Sequence, residues 1–521
     1  MNQTTGSYAP MTHMRAFLKH LSIATSLVLL GGTASFGQTA PTIEDIETAW
    51  AKGDLQSVRA ALTERIKTDD SALTAMRLGR MLVEGLGGPI DRDTGLQLLT
   101  YAAENHHLPA ITLMARVYLT AGETRDPKRA AGLLRNAATR GDAEAKYYLG
   151  LLYKDGVGVE QDTEKAFSWM LGAGEGGHGP AQFELSRFYA NGVGTAPDTQ
   201  AARHWLNEAA ASAVPEAQFA KGNELLSDPD AKATAAIEML ASAAERGFAP
   251  AQSTLGTLYL TGVPGQPVDA ERAERWLRAA AMAGNLSAIN NLGSAYLSGA
   301  VLNQDIPTAI TLLERASDAG LARATFTLAQ VYDKGAGVAP ESQKAMRLYR
   351  IAVDQGSTPA RIHLGELVLS GDFPGSLAPH TAVPWVMALA ETDERADAII
   401  WMEEHASKGI RPAQAALGAW YLEQPEKGER AMALLEAAAA AGHVPSQFKL
   451  GIALTNGAGI GVIDYVLAHK WLNIAATSGH ADAIKTRAAV TDLMTAEQIA
   501  DAHSRTRAFF DDVRAAPLPL K

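Results

Sequence analysis

Ala273-Glu274-Arg275-Trp276-Leu277-Arg278-Ala279-Ala280-Ala281-Met282-Ala283-Gly284 is the stretch on which the fold turns. Ala273, Trp276 and Ala280 stand at offsets −3, 0 and +4, which puts all three on one face of a helix. Two small residues flank a large one, so a neighbouring helix can approach closely and seat against the indole. Gly284, eight residues after Trp276, suits the left-handed conformation in which helices end. The cassette recurs along the chain, which is the mark of a repeat protein. Its large residue is Leu98, Leu133, Trp169, Trp205, Met239, Trp276, Leu312, Leu348, Trp401, Leu434 and Trp471, at successive spacings of 35, 36, 36, 34, 37, 36, 36, 53, 33 and 37. Ala holds the −3 position in every copy but one, which has Gly95, and the +4 position in every copy but one, which has His405. Gly holds the +8 position in nine of the eleven copies.

A second cassette precedes the first in each copy. Ala145-Lys146-Tyr147-Tyr148-Leu149-Gly150-Leu151-Leu152-Tyr153 is repeated from Ala251 to Tyr259, from Ala288 to Tyr296, and from Ala324 to Tyr332, where Ala329 replaces the Gly. Its marked residues again share one helical face. A Gly-rich turn follows, Gly156-Val157-Gly158-Val159 or Gly335-Ala336-Gly337-Val338, and reverses the chain. After the second helix a Pro often opens the next copy, as at Pro180, Pro215, Pro250, Pro359, Pro412 and Pro445. Each copy therefore reads as helix, Gly turn, helix, Gly-Pro turn. The fifth departs from the pattern, with Leu226-Ser227-Asp228-Pro229-Asp230 in place of the Gly turn. In the ninth, the spacing of 53 signals about 17 extra residues near Asp372–Thr392, with Pro374, Pro379, Pro384 and Trp385 among them.

This pattern resembles the Sel-one-like repeat (SLR) family, relatives of the tetratricopeptide repeat, over roughly residues 70–481. The resemblance implies an all-α, right-handed α-solenoid of about eleven hairpins and about 24 helices, with helical caps. Residues 38–69 read as the N-terminal cap, a shorter helical pair around Lys52-Gly53-Asp54. Residues 482–521 read as a C-terminal capping helix with a frayed tail, and Met494-Thr495-Ala496-Glu497-Gln498-Ile499 resembles the terminal helix of exported bacterial members.

Of the 521 residues, 47% are hydrophobic and 20% charged, so a packed core is expected. A net charge of −11 argues against nucleic-acid binding, which needs a basic footprint. There is no cysteine, which removes disulfides, thiolate metal sites and cysteine nucleophiles. Near the start, the basic stretch Met14-Arg15-Ala16-Phe17-Leu18-Lys19-His20 runs into the apolar segment Leu21–Leu30 and then Ser35-Phe36-Gly37. That order is expected of a signal peptide over residues 1–37, cleaved near Gly37. The apolar core is shorter than a membrane span needs, which argues against the competing reading of an uncleaved anchor. Residues 1–13 hold no Lys or Arg, which leaves open whether Met1 or Met14 is the start. Cleavage removes Arg15 and Lys19 and takes the charge from −11 to −13. The expected address is periplasmic or secreted, with no membrane span in the mature chain.

Motifs that could carry chemistry fare poorly. Ser446-Gln447-Phe448-Lys449 has the Ser-x-x-Lys spacing of penicillin-recognising enzymes, but the Ser-Asp-Asn and Lys-Thr-Gly companions are missing. Ser446 also falls where sister copies have the packing Ala. None of the thirteen His forms a His-Glu-x-x-His motif, and His178, His443, His480 and the pair His106-His107 sit at inter-repeat junctions. Gly457-Ala458-Gly459-Ile460-Gly461 follows a helix in the repeat register and is a turn, not a dinucleotide loop. Trp169, Trp205, Trp276, Trp401 and Trp471, with Tyr153, Tyr259, Tyr296 and Tyr332, read as repeat core, not as a stacking platform. No catalytic residue, metal ligand or cofactor site is assigned.

The resemblance implies a non-enzymatic scaffold, adaptor or regulator in the cell envelope, serving signalling, exopolysaccharide or cell-wall assembly through unidentified protein partners. Two competing readings are a protein that binds or hydrolyses β-lactams or peptidoglycan fragments, and a purely structural spacer. The insertion at 372–392 is expected to protrude from the Gly-turn position and offer Trp385 to a partner, since solenoid insertions favour the binding face. The alternative is that Pro384 starts an extra helix and Trp385 covers the solenoid edge.

Overall fold

The structure is a computed structural model that describes residues 41–515 apart from 121, 123, 229–232, 394 and 460. The expected signal peptide, the C-terminal tail from 516 onward, Ile460, and Pro229 and Asp230 of the fifth turn lie outside the described residues. Among those described there are 27 α-helices and no strand. They form two units, one ending at Ala283 and one beginning at Gly284. The first holds a short pair, Ile43–Ala51 and Leu55–Arg65, and then six hairpins, from Ala72–Glu84 with Arg92–Glu104 to Ala249–Thr261 with Ala270–Met282. The second begins with the hairpin Leu286–Ser298 and Ile306–Asp318 and closes on helix Ala496–Ala515, whose Phe509 and Phe510 pack on the core around Trp471.

Small residues decide how each hairpin closes. The Gly of the Leu-Gly-x-x-Tyr cassette lies against the residue that follows the large anchor: a Cβ on Gly256 would meet Leu277 at 2.7 Å, and one on Gly451 would meet Leu472 at 2.6 Å. That following residue is deeply buried in most copies, Leu206 being only partly so. Leu99, Leu134, Met170, Leu240, Leu277, Leu313, Leu435 and Leu472 are all fully buried. The anchors vary more. Trp276, Trp471, Tyr259, Tyr296 and Tyr332 are buried, whereas Trp169, Trp205, Trp401 and Tyr153 are only half-buried. At the turn, the backbone N–H of Asp162 donates to the Tyr153 carbonyl at 2.9 Å, while the Asp162 carboxylate accepts from Lys165 N–H at 2.9 Å to cap the second helix. The Lys165 ammonium then lies over the Tyr153 ring, 5.7 Å from its centroid.

In the Gly-x-Gly turns the two glycines do different work. Gly192 ends its helix with φ 68°, and Gly194, at φ 67°, abuts the preceding hairpin, where a Cβ would collide with the Thr163 carbonyl oxygen. Gly158 meets the Pro127 carbonyl in the same way. At the inter-hairpin turns two copies lack the expected Gly, and there His106 (φ 66°) and Ala213 (φ 57°) adopt the left-handed conformation themselves. They are the non-glycine residues with positive φ among those described.

The insertion is not a protruding loop. Residues 379–393 form helix Pro379–Asp393, in which Pro384 is internal and does not start the helix. A Cβ on Gly365 would meet the Trp385 carbonyl at 2.6 Å and Leu389 at 2.9 Å, so this helix fills the second-helix place of its hairpin. Trp385 stands where sister copies carry Ala and is 6% exposed, its ring stacked on Phe373 at 5.8 Å. It is therefore not available as the expected partner contact. The helix with the Trp401 cassette, Ala396–Ser407, is a third helix that packs on the next hairpin. The sequence spacing hid this because helix 379–393 reproduces the packing with the cassette out of register: Trp385 takes the Ala place, and Leu389 stands where an Ala would follow Ala382-x-x-Trp385.

Candidate protein-binding face

Consecutive first helices are joined by side chains on their open face. In the first unit Arg116, on helix Leu108–Leu119, reaches Glu84 of the preceding first helix at 3.8 Å and Glu144 of the following one at 3.5 Å. Arg80 pairs with Glu84 at 2.9 Å, and the Arg116 guanidinium lies 5.7 Å from the Tyr148 ring centroid. The ladder continues through Lys154–Glu184 at 3.7 Å and Glu184–Arg187 at 2.8 Å. Partial burial pushes the Glu144 carboxyl above its usual range, with Arg116 opposing. Burial likewise raises the Tyr147 and Tyr148 phenols.

The second unit carries its own ladder. Arg323 donates to Asn291 Oδ1 at 3.4 Å, and the Tyr349 hydroxyl donates to Asp333 Oδ2 at 3.2 Å. His363 lies 3.7 Å from the same Asp333 oxygen, and Arg395 lies 3.6 Å from Glu366. Tyr349 replaces the Leu of sister copies and is 1% exposed, and burial with Asp333 alongside pushes its phenol far up. Individual pairs at such half-exposed positions contribute only about 0–1 kcal/mol. What they provide is a surface of alternating charge, amide and aromatic edge.

Beneath the face runs a second device. Gln252 donates through Nε2 to the Ala244 carbonyl at 3.0 Å, Gln414 to Ala406 at 3.1 Å and Gln447 to Ala439 at 3.0 Å. Each adds a second donor to a carbonyl at the end of the preceding helix that already accepts a turn N–H, from Gly247, Gly409 and Gly442 respectively, and so ties one hairpin to the next. Neither the ladder nor these Gln residues stood out in the sequence, because charge and amide on a helix are ordinary. A signal existed in the recurrence of Arg80 and Arg116 at one register position, 36 residues apart.

The chemical motifs resolve into structure. Ser446 is 3% exposed, with its hydroxyl 2.8 Å from His443 Nδ1 at a helix start, whereas Lys449 is exposed. His405 lies flat on Trp401, ring centroids 3.8 Å apart, and its Nδ1 is 2.8 Å from the Trp401 carbonyl. Among the described residues no group of three or more His, Asp or Glu is placed to hold a metal ion, and no helix is long and apolar enough to cross a membrane.

A stack of hairpins with an extended polar and aromatic face defines a helical-repeat protein built for contact with other proteins. Nine matches to the Sel1 repeat, at 72–107, 108–142, 143–178, 179–213, 249–285, 286–321, 322–357, 411–443 and 444–480, cover more than half of the sequence, and the chain belongs to that family. The stretches between matches are the hairpin without a Gly turn and the three-helix unit. Sel1 repeats mediate protein–protein interaction, and proteins built from them are generally not catalysts. Among solved structures, a protective antigen of uropathogenic Escherichia coli with an SLR fold aligns over 89% of this chain and 98% of its own, at 23% identity and a TM-score of 0.51. Chitin synthase regulatory factor 3 of Schizosaccharomyces pombe is 29% identical over 261 residues, 48% of this chain and 26% of that protein. An uncharacterised protein of Neisseria meningitidis is 29% identical over 154 residues, 29% of this chain and 32% of that protein. The chain thus spans about a third or less of these two relatives.

Proposed function

We propose that this chain is an exported scaffold of the cell envelope that holds protein partners along the first-helix faces of its units and performs no chemistry itself. The observation that carries the reading is the ladder Arg80–Glu84–Arg116–Glu144, half-exposed and continuous across three hairpins. The export order from Arg15 to Gly37 supports the address. The fission-yeast relative is named as regulating a chitin synthase, which favours a role in regulating the assembly of a surface polymer. A photo-crosslinking residue at Tyr148 is expected to capture a discrete partner in cells, whereas one at Asn136, exposed on the second helix, is not. Equal capture from both positions, or none, would remove the face from consideration. Mass spectrometry of the mature protein is expected to find an N-terminus close to Gln38 in an extracytoplasmic fraction, and an intact cytosolic chain would overturn the address. Hydrolysis of a chromogenic β-lactam by the purified chain would overturn the absence of chemistry.

A further inference from the structure

The junctions between hairpins share one geometric demand. The residue just before a first helix must satisfy a backbone N–H three positions on. Asp142 does so for Ala145 at 2.6 Å, Asn285 for Ala288 at 2.9 Å and Ser357 for Ala360 at 3.2 Å. At the same register position His178 accepts from Ala181 N–H at 3.2 Å, His443 from Ser446 N–H at 3.3 Å and His480 from Ala483 N–H at 3.3 Å, in each case through Nδ1. An imidazole can accept at Nδ1 only while that nitrogen carries no proton. Once protonated, it turns N–H against N–H at the positive end of a helix. The other junctions are closed by Val214, Phe248, Leu321, Ile410 and a fourth histidine, His107, none of which makes a side-chain cap hydrogen bond.

We propose that His178 and His443 make their junctions acid-sensitive, so that mild acid uncaps these first helices and loosens the stack there while a junction closed by Ser holds. The surroundings favour the neutral ring. The His178 ring lies against Tyr147, with centroids 4.8 Å apart, and the charge facing it is Asp142. Arg411 faces His443, which also meets the Ser446 hydroxyl. Burial holds the His178 and His443 imidazoles below the usual histidine range, with Asp142 opposing at the first and Arg411 reinforcing at the second. The unfolded chain takes up these protons near pH ~6.5, whereas the folded junctions take them up only at lower pH. Their stability is therefore complete above about 6.5 and is lost as the pH falls from there through the folded value.

The test is limited proteolysis of the full mature chain at about pH 7.5 and about pH 5.5, reading cleavage at the His178 and His443 junctions against the Ser357 junction of the same molecule. Cleavage at these two His junctions is expected to rise about three- to tenfold more on acidification than at Ser357, and His178→Asn should abolish the excess at its own junction. An equal rise at Ser357, or an excess that survives both His178→Asn and His443→Asn, would overturn the proposal. If one substitution prevents folding, the other gives the same reading in its own unit. Measurement of histidine pKa values by NMR, with either ring at or above the unfolded value, would also overturn it.

Discussion

Gly177 and Gly194 have nearly the same backbone, at φ 79° and 67°, but different surroundings, and that contrast yields a sharp prediction. A Cβ on Gly177 would find nothing within 4 Å, whereas one on Gly194 would collide with the Thr163 carbonyl and approach Phe167 Cβ to 3.0 Å. Left-handed backbone costs an L-residue about 1–2 kcal/mol, a term common to both positions. Overpacking against fixed backbone adds about 1–3 kcal/mol at Gly194 alone. Gly177→Ala should therefore lose about 1–2 kcal/mol and Gly194→Ala about 2–5 kcal/mol. Because repeats contact mainly their neighbours, the loss should be local. Hydrogen exchange of helices Thr163–Glu175 and Thr199–Ala211 should accelerate in Gly194→Ala while helix Ala249–Thr261 stays protected. Equal destabilisation by the two substitutions would show that the turn does not rest on the preceding hairpin.

Trp276→Ala, which empties a buried site beside Ala273 and Ala280, should cost about 3–5 kcal/mol in chemical denaturation, and an unchanged midpoint would place the core face wrongly. Trp385→Ala should cost about as much, because the ring is structural, and it should leave capture at Tyr148 intact; a stable variant that lost its partner would restore the exposed-contact reading. Ala213→Gly should stabilise by about 0.5–1 kcal/mol, since relief of left-handed strain exceeds the entropy that Gly adds to the unfolded chain. A lower melting temperature would contradict the strain at φ 57°.

Much of the fold was legible because a repeat states its register many times over. Ala at −3 and +4 marked the helix face in copy after copy, and Gly at +8 marked a left-handed turn. That the structure drives His106 and Ala213 into positive φ where Gly is missing shows that the stack, more than the residue, sets the turn. The address segment was read on composition alone and makes no use of the fold.

What the sequence determines by itself is whatever depends on nearest neighbours along the chain: helix periods, caps, turn residues and the order of hairpins. Each is a local steric or hydrogen-bonding demand that residues within about one turn can satisfy or fail. Only the tertiary structure could decide which residues meet across hairpins. The ladder through Arg116, the Gln252 link to Ala244 and the collision waiting at Gly194 all join groups some 8 to 32 residues apart. Pattern failed most clearly at residues 379–393. There a segment with the cassette out of register docks on Gly365 because its apolar surface and shape fit, and burial rewards fit without regard to sequence period.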